Sequence, residues 1–571
     1  MAETLLSPGV LARENDQSQI TQGPREFGAA IIGPAVKGPV KIPTLVTSYS
    51  EYTSIFGSTV ESGSNVYSYL TSVSANNYFQ NGGTSLLVTR VTSGSFTSAT
   101  SSEVTNGDDV NAFTLETISE GEIMNSTSTE TSGSLESGSI DNIRWEIASS
   151  NTSSGTFSLL IRRGDDIPNS KVVLESYNNL SLDPYSPNYI SKVIGDVKQN
   201  LRTDDGYYIQ ESGSYANASR YVRVKSVDTK TPNYFDNLGN AKDAYTGSIP
   251  VTGSGSFGNA AGSNIPTGRA ANFYTDIGKG DDGDTQGLIG TDYDNAIALL
   301  SNQDDYQYNI ISVPGLNHNN HSSQLTSLTN NSISRGDNIS IIDLYGYGAS
   351  VTKVIEKAAG FDNSYAAAYW PWVQTVDPNT GELVFVPASA MISGVYAYTD
   401  ASSEPWFAPA GITRGGLGQV LKAERKLTAG QRDTLYEANV NPIATFPSTG
   451  VVVFGQKTLQ KRASALDRVN VRRLLIALKS YISQVSDTLV FEQNTIATRN
   501  NFLTQVNPYL ESVQQRQGLY AYKVVMDDTN NTPDVIDRNE LLGQIFIQPT
   551  KTAEFIILDF NILPTGATFP A

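Results

Sequence analysis

Short apolar runs alternate with segments of helical pattern from Tyr308 onward. The runs YNIISVPG at 308–315 and NISIIDL at 338–344 have the length and composition of buried strands, and SYAAAYWPWV follows at 364–373. Strand, crossover and strand at this spacing predict an α/β layer.

The last third of the chain has the most regular pattern. Apolar residues recur at helical spacing in two stretches, which predicts two amphipathic helices. The members are Val471, Leu475, Leu478, Ile482 and Val485 in the first stretch, and Ile496, Leu503, Val506, Leu510 and Val513 in the second. Pro508 predicts a break or a fresh helix start. Strands are predicted at 451–454, 541–548 and 554–560.

The beginning of the chain has a different texture. Residues 1–25 are polar and unpatterned, with turn formers at Pro8-Gly9 and Gly23-Pro24, which predicts an extended arm. From Phe27 onward, short apolar runs are punctuated by Gly-Pro, which is typical of strands and loops. We expect a helix at 67–79 and a buried strand at 85–91.

Two long stretches, about 93–156 and 203–290, are dominated by small and polar residues. Within the first region and just after it, 143–147 and 157–162 alternate apolar and polar residues, which predicts antiparallel strands with one face in water. Because the chain has 571 residues, two to four domains are expected. These stretches are therefore interpreted as peripheral β-rich insertions.

Charge and composition exclude several classes of protein. The formal net charge is -18, so the bulk surface repels nucleic acid and anionic membrane. Cysteine is absent, which rules out disulfides and thiolate metal sites. No run approaches 18 consecutive apolar residues, and the first residues do not resemble a secretory signal. We expect a soluble protein made in the cytoplasm.

Catalytic constellations do not emerge from the sequence. The two histidines, His318 and His321, stand in the polar run GLNHNNHSS and are interpreted as solvated loop residues. The stretch 282–293 begins like a calcium loop but has Tyr293 where a glutamate is required. Glycines at 253–262 lack the lysine of a phosphate loop, and the aromatic residues of 369–372 are interpreted as packed core or interface. We expect no enzyme activity, no metal and no cofactor.

One stretch reverses the acidic balance. Six basic residues fall within 461–479, which contains a single acid, Asp467. They are Lys461, Arg462, Arg468, Arg472, Arg473 and Lys479. Arg468, Arg472 and Lys479 share one stripe of the predicted helix. Two interpretations stay open: a solvated face, or a seat for an acidic partner surface.

Several motifs together resemble the phage tail sheath proteins of contractile tails. They include Ser7-Pro8-Gly9-Val10, YFQNGGTSLLVTRV at 78–91, NLSLDPYSPNYI at 179–190, YWPWV at 369–373, the stretch 376–416, NPI at 441–443, GVVVFG at 450–455, RVNVRRLLIALKSYI at 468–482 and YKVVMD at 522–527. The resemblance implies a mixed α+β and α/β multidomain fold. Its shared α/β core would come from N- and C-terminal parts of the chain, with β-rich outer domains inserted between them and an extended arm at each end.

The expected domain boundaries follow from this resemblance. They are an N-terminal linking arm at 1–25, the first part of the core at 26–92, a β-rich insertion at 93–200, a second insertion at 201–300, an α/β domain at 301–440, a C-terminal core domain at 441–548 and a C-terminal linking arm at 549–571.

The resemblance also implies a mechanism and partners. Each terminal arm is expected to add a strand to the sheet of a neighbouring subunit. The residues assigned to this exchange are Ser7, Pro8, Gly9, Val10, Phe555, Ile556, Ile557 and Leu558. The stripe Arg468, Arg472, Arg473 and Lys479 would face the inner tube or a neighbour.

Expected partners are other copies in a helical polymer, the inner tail tube protein, and the baseplate and tail terminator proteins. Neither nucleic acid nor membrane insertion is expected, and the protein would be made in the host cytoplasm and reside in the virion tail.

Three alternative functions make different demands on the sequence. A secreted β-rich adhesin would need a signal peptide and repeated domains. A carbohydrate-active enzyme needs paired carboxylates, and the pairs Asp165-Asp166 and Asp304-Asp305 are consecutive acids whose side chains point apart. The sheath of a non-viral contractile injection system is barely distinguishable from a phage sheath by sequence.

Overall fold

The computed structural model describes residues 28–62, 65–127, 129, 133–263 and 286–554. The strands are β1 Ala29–Gly33, β2 Thr44–Val46, β3 Val60–Ser62, β4 Asn65–Tyr67, β5 Leu86–Arg90, β6 Ser98–Ser101, β7 Phe113–Glu120, β8 Ile143–Asn151, β9 Thr156–Arg163, β10 Val173–Ser181, β11 Lys198–Arg202, β12 Tyr208–Ser212, β13 Val222–Val227, β14 Gly253–Gly255, β15 Phe257–Gly258, β16 Ile310–Asn317, β17 Ile339–Asp343, β18 Ala366–Trp370, β19 Val373–Val376, β20 Leu383–Val386, β21 Val420–Ala423, β22 Val440–Phe446, β23 Gly450–Val453, β24 Leu519–Val525 and β25 Gln544–Pro549.

The helices alternate with these strands in the core and cluster near the C-terminus. They are α1 Tyr49–Phe56, α2 Leu70–Gln80, α3 Ile190–Ile194, α4 Asp243–Thr246, α5 Asp294–Leu299, α6 Ser322–Arg335, α7 Val351–Ala358, α8 Ser389–Ser402, α9 Gly411–Arg414, α10 Ala429–Glu437, α11 Val469–Asp487, α12 Ile496–Gln515 and α13 Pro533–Asp537.

An eight-stranded sheet forms the centre of the molecule, in the order β2-β5-β1-β16-β17-β18-β22-β23. The six inner strands run parallel, and the two edge strands, β2 and β23, run antiparallel to their neighbours. Strands that precede residue 93 and strands that follow residue 300 therefore form one sheet. This confirms the predicted mixed fold with a core drawn from both parts of the chain.

Both faces of this sheet are covered by helices. In β1, Ala29 and Ile31 face a core shared with α1, α2 and α8, whereas Ala30 and Ile32 face a second core shared with α5, α6 and α7. Because every residue of β1 is buried, the strand reads as a continuous apolar run instead of an alternating one.

The insertion forms a β-sandwich. One four-stranded sheet has the order β10-β9-β8-β14 and the other β13-β7-β6-β15, with an apolar core that takes residues from both. The predicted antiparallel pair 143–147 and 157–162 is present as β8 and β9. Strands from both predicted insertions, 93–200 and 201–300, pair with each other, so the described residues form one unit instead of two. Likewise, β22 and β23 belong to the central sheet, although the expected C-terminal domain began at 441.

Arg90 joins the core to the β-sandwich. Its guanidinium donates to the carbonyl oxygens of Ala35, Val36 and Gly38 in the loop after β1, and to that of Glu120 at the end of β7. The side chain is fully buried, and burial lowers its pKa to about 10. Four carbonyl oxygens from two domains thus accept hydrogen bonds from one guanidinium, which fixes the two domains to each other.

Replacement of Arg90 by methionine is expected to lower the free energy of unfolding by about 3 kcal/mol or more, because it leaves buried carbonyl oxygens without donors. Arg220 supplies a matched control, since it bridges the same two domains through an exposed ion pair with Glu51 of 3.3 Å. Arg220→Met should cost less than about 1 kcal/mol. Urea unfolding of both variants tests this, and equal losses would contradict the assignment.

Asp343 ends β17 beneath the first turn of α8. Its carboxylate accepts hydrogen bonds from the backbone N–H and the hydroxyl of Ser389. Burial raises the pKa of Asp343 to about 7, although the bonds from Ser389 oppose the shift. The folded chain therefore retains this proton at pH values where the unfolded chain has released it.

The stability of the chain should fall as the pH rises from about 4 to about 7 and then level off, because the folded state binds the extra proton only in that window. Asp343→Asn should remove this dependence. The unfolding free energy of the wild type minus that of the variant is expected to be about 1–3 kcal/mol lower at pH 8 than at pH 5. A difference that is equal at both pH values would refute the assignment.

Candidate assembly interface

The C-terminal unit packs a pair of long helices against a two-stranded ribbon. Its buried members come from α11, α12, β24 and flanking loops, with Trp406 from the core domain: Trp406, Leu474, Leu478, Val485, Leu489, Phe502, Val506, Leu510, Val513, Leu519 and Met526. The two predicted amphipathic helices are present. The predicted break at Pro508 is wrong, because α12 runs through it as one helix. Burial of Val506, Leu510 and Val513 outweighs the hydrogen bond that a proline removes.

The ribbon consists of β24 and β25 in antiparallel register, with Tyr522 opposite Ile547 and Val524 opposite Ile545. These four side chains pack on the helices. Within the part of the chain that the structure describes, each strand pairs only with the other. Two-stranded sheets are marginal in water, so the ribbon depends on the helices beneath it.

Among the described residues, the two open edges of the ribbon carry little of the protection that is usual for edge strands. Tyr520 and Phe546 are 62% and 57% exposed, and β25 reads QIFIQP, without a charged residue. Proteins normally guard open edges with charges, bulges or covering elements. Here the protection is Lys523 in β24 and Pro549 at the end of β25. The ribbon can therefore accept further strands through its backbone N–H and C=O groups.

The residues predicted to exchange strands lie outside the described part of the chain. This holds for Ser7, Pro8, Gly9 and Val10 in the first arm, and for Phe555, Ile556, Ile557 and Leu558 in the second. Their role stays a prediction. The described chain continues from β25 to Glu554, immediately before Phe555.

The predicted basic stripe is only partly exposed: Lys479 is exposed and Arg468 is half-buried, whereas Arg472 and Arg473 are buried. Arg472 is buried, with its guanidinium 3.9 Å from the ring centre of Tyr365, and Arg473 is buried against Asp400 at 2.5 Å. Lys479 donates to the hydroxyl of Tyr365.

Arg468 pairs with Glu554. Both Arg472 and Arg473 hold α11 against the central domain, so in this chain they are internal links. Sequence spacing missed this because their partners lie 73 or more residues away.

Neither histidine is the solvated loop residue that was predicted. His321 is buried and its Nδ1 accepts the N–H of Asn317. His318 lies with its ring centre 4.5 Å from that of Phe361, and burial lowers its pKa, helped by Lys357. In the described ranges, no group of three or more His, Asp or Glu side chains is placed to hold a metal ion. No helix among these residues is long and apolar enough to cross a lipid bilayer.

A buried side chain caps a helix terminus near the point where the strand order of the central sheet reverses. The strand order reverses between β1 and β16, which is where ligand-binding crevices open in α/β sheets. Gln286 is fully buried there: its amide oxygen accepts the N–H of Leu70 at the start of α2, and its amide nitrogen donates to the carbonyl of Pro314. A protein side chain thus satisfies the helix terminus that a phosphate would otherwise use.

Replacement of Leu510 by alanine is expected to destabilise the C-terminal unit by about 2–5 kcal/mol, because it leaves a cavity under the ribbon. Ile496, on the same helix, is 63% exposed, and Ile496→Ala should change stability by less than about 0.5 kcal/mol. Hydrogen exchange of residues 519–549 measures the effect. Equal exchange rates in the two variants would show that the ribbon does not rest on α12.

Comparison with known proteins gives two adjoining family matches. Residues 287–459 match the phage tail sheath protein central domain, and residues 462–563 match the phage tail sheath C-terminal domain. The tail sheath proteins of Vibrio phage KVP40 and Enterobacteria phage T4 are each 42% identical to this chain over 185 residues. These matches cover 32% of this chain and 28% of each relative, so the chain matches less than a third of their length.

Solved structures agree in fold over almost the whole chain. The contracted helical sheath of the anti-feeding prophage matches with a TM-score of 0.50 and 17% identity, covering 97% of this chain and 98% of that chain. A sheath tail protein from Listeria innocua matches with a TM-score of 0.50 and 10% identity, covering 92% of this chain and 96% of that chain. At these identities the likeness concerns the fold alone.

Proposed function

We propose that this chain, which belongs to the phage tail sheath family through its central and C-terminal domains, is the subunit of a contractile tail sheath. The observation that supports this most directly is the two-stranded ribbon β24–β25, which is open on both edges among the described residues and sits on a rigid helical base. A subunit with such a ribbon can be joined to its neighbours by backbone hydrogen bonds.

The strands that complete the ribbon would come from the terminal arms of other copies. We assign Ser7, Pro8, Gly9 and Val10 of one arm and Phe555, Ile556, Ile557 and Leu558 of the other to this role. In this proposal, backbone pairing of the arms would persist while each subunit rotates as a whole. Contraction can then pass from ring to ring while the polymer stays connected.

The body of the subunit is built to rotate as one piece. Arg90 fixes the β-sandwich to the core through four carbonyl oxygens, and Arg473 with Asp400 links α11 to α8. Rigid bodies joined by strands can store energy in their packing, with the extended sheath metastable and the contracted sheath better packed. In this mechanism no nucleotide is hydrolysed, and the role is structural instead of catalytic.

The partners in this proposal are other copies of the chain in stacked rings, the inner tail tube, the baseplate and the tail terminator. The protein would be made in the host cytoplasm and reside in the virion tail, where contraction drives the tube through the host envelope. The sheath of a non-viral contractile injection system is the second candidate, supported by the fold shared with the anti-feeding prophage sheath.

Deletion of residues 1–20 tests the proposal. The full chain is expected to form tubes with axial striation in negative-stain microscopy, whereas the truncated chain should remain a soluble monomer with unchanged thermal unfolding, because only the linking strand is lost. Tyr185→Ala, at an outer position that is 73% exposed, serves as a control that should still form tubes. Long tubes from the truncated chain would show that the arm is not a linker.

A further inference from the structure

A cluster of donors converges on Glu554, the last described residue. Arg468 donates from Nε to Oε1 at 2.7 Å and from Nη2 to Oε2 at 3.0 Å. The hydroxyl of Tyr436 donates to Oε2 at 2.7 Å, and the amide of Gln456 donates to Oε1 at 3.0 Å. Each carboxylate oxygen thus accepts two hydrogen bonds.

The three donors come from separate elements of the body. Tyr436 lies in α10, Gln456 follows β23, and Arg468 immediately precedes α11. Lys457 holds Tyr436 in place, since its ammonium donates to the Tyr436 carbonyl at 2.7 Å and lies 4.4 Å from the centre of its ring. The carboxylate therefore ties the segment that follows β25 to three elements of the body.

Apolar packing does not account for the attachment of residues 551–554 to the body. Residues 551–553 are exposed, lack regular secondary structure, and lie beside a groove of about 620 Å³. Besides the bonds to Glu554, the side-chain link is one hydrogen bond from Gln456 to the Thr552 hydroxyl at 2.6 Å. The attachment of the segment is thus mainly polar, and it is centred on one carboxylate.

The electrostatics agree with this attachment. Partial burial pushes the pKa of Glu554 upward, but the hydrogen bonds from Tyr436, Arg468 and Gln456 outweigh burial and leave the pKa below its ordinary value. The charged form is therefore the one that the cluster binds.

We propose that Glu554 is a positioning residue that anchors the root of the C-terminal segment to the body of its own subunit. Four donated hydrogen bonds fix the position of Glu554 on the body. The inference rests on the proposed function in one respect. If residues 555–571 pair with a neighbouring copy, a pulling force on them acts on the body at Arg468 and does not separate β25 from β24.

Lys551 makes the anchor measurable, because trypsin cleaves after lysine and this residue is exposed, three positions before Glu554. In the unassembled full-length chain, Glu554→Gln should speed release of the fragment that begins at Thr552 by about tenfold, since a charged acceptor is lost. Glu540→Gln is the matched control: Glu540 pairs with Arg538 at 3.0 Å in the same unit, but both side chains are exposed, so cleavage at Lys551 should not change.

Two further readouts separate anchoring from general stability. The temperature of unfolding should be the same in Glu554→Gln as in wild type. Arg468→Gln combined with Glu554→Gln should speed cleavage by less than the two single effects multiplied together, because both changes weaken the link between these two residues. Under the proposed function, Glu554→Gln should also form shorter tubes than Glu540→Gln.

The proteolysis decides the anchor independently of assembly. Unchanged cleavage at Lys551 in Glu554→Gln overturns the anchor, whether or not the chain forms tubes. If Glu554→Gln is cleaved faster but the wild-type chain never forms tubes, the anchor is supported and the proposed function is contradicted. Faster cleavage with tubes of normal length would overturn the claim that the anchor carries tension.

Discussion

A backbone N–H or C=O group at the edge of a sheet needs a hydrogen-bond partner, and this requirement organises the molecule. In the central sheet, the edge strand β2 leaves few backbone groups unpaired because it is only three residues long. The other edge strand, β23, pairs through its backbone with residues 415–417. The ribbon β24–β25 does not meet this requirement from the described residues, since each strand has one neighbour. Under the proposed function, strands from other copies would complete this edge through backbone hydrogen bonds alone.

Arginine side chains complement this joint by linking elements of the body to one another. Arg90 links the β-sandwich to the core, Arg473 links α11 to α8, and the half-buried Arg468 holds Glu554, which follows β25. The planar guanidinium reaches several acceptors at once, which suits it to fix one element against another. Under the proposed function, these links would let the described body of the subunit move as one piece.

The sequence predicted those parts of the fold that depend on local pattern. Strands buried on both faces, such as β1 and β17, read as short apolar runs, and α11 and α12 read as periodic stripes. Parts that depend on distant partners were missed. Arg472 and Arg473 look like an exposed basic stripe until Tyr365 and Asp400 are placed beside them, and Pro508 looks like a helix break until its neighbours are seen to be buried. Pairing of β13 with β7 across more than a hundred residues likewise has no local signal.

The central claim is that the ribbon is completed by strands from other copies. Hydrogen exchange of the backbone amides in β24 and β25, compared between the unassembled chain and assembled tubes, tests it most directly. The account predicts that these amides exchange at least about tenfold more slowly in tubes, because new interstrand hydrogen bonds protect them. Equal exchange rates in the two states would contradict it, since they would show that the open edges stay open in the polymer.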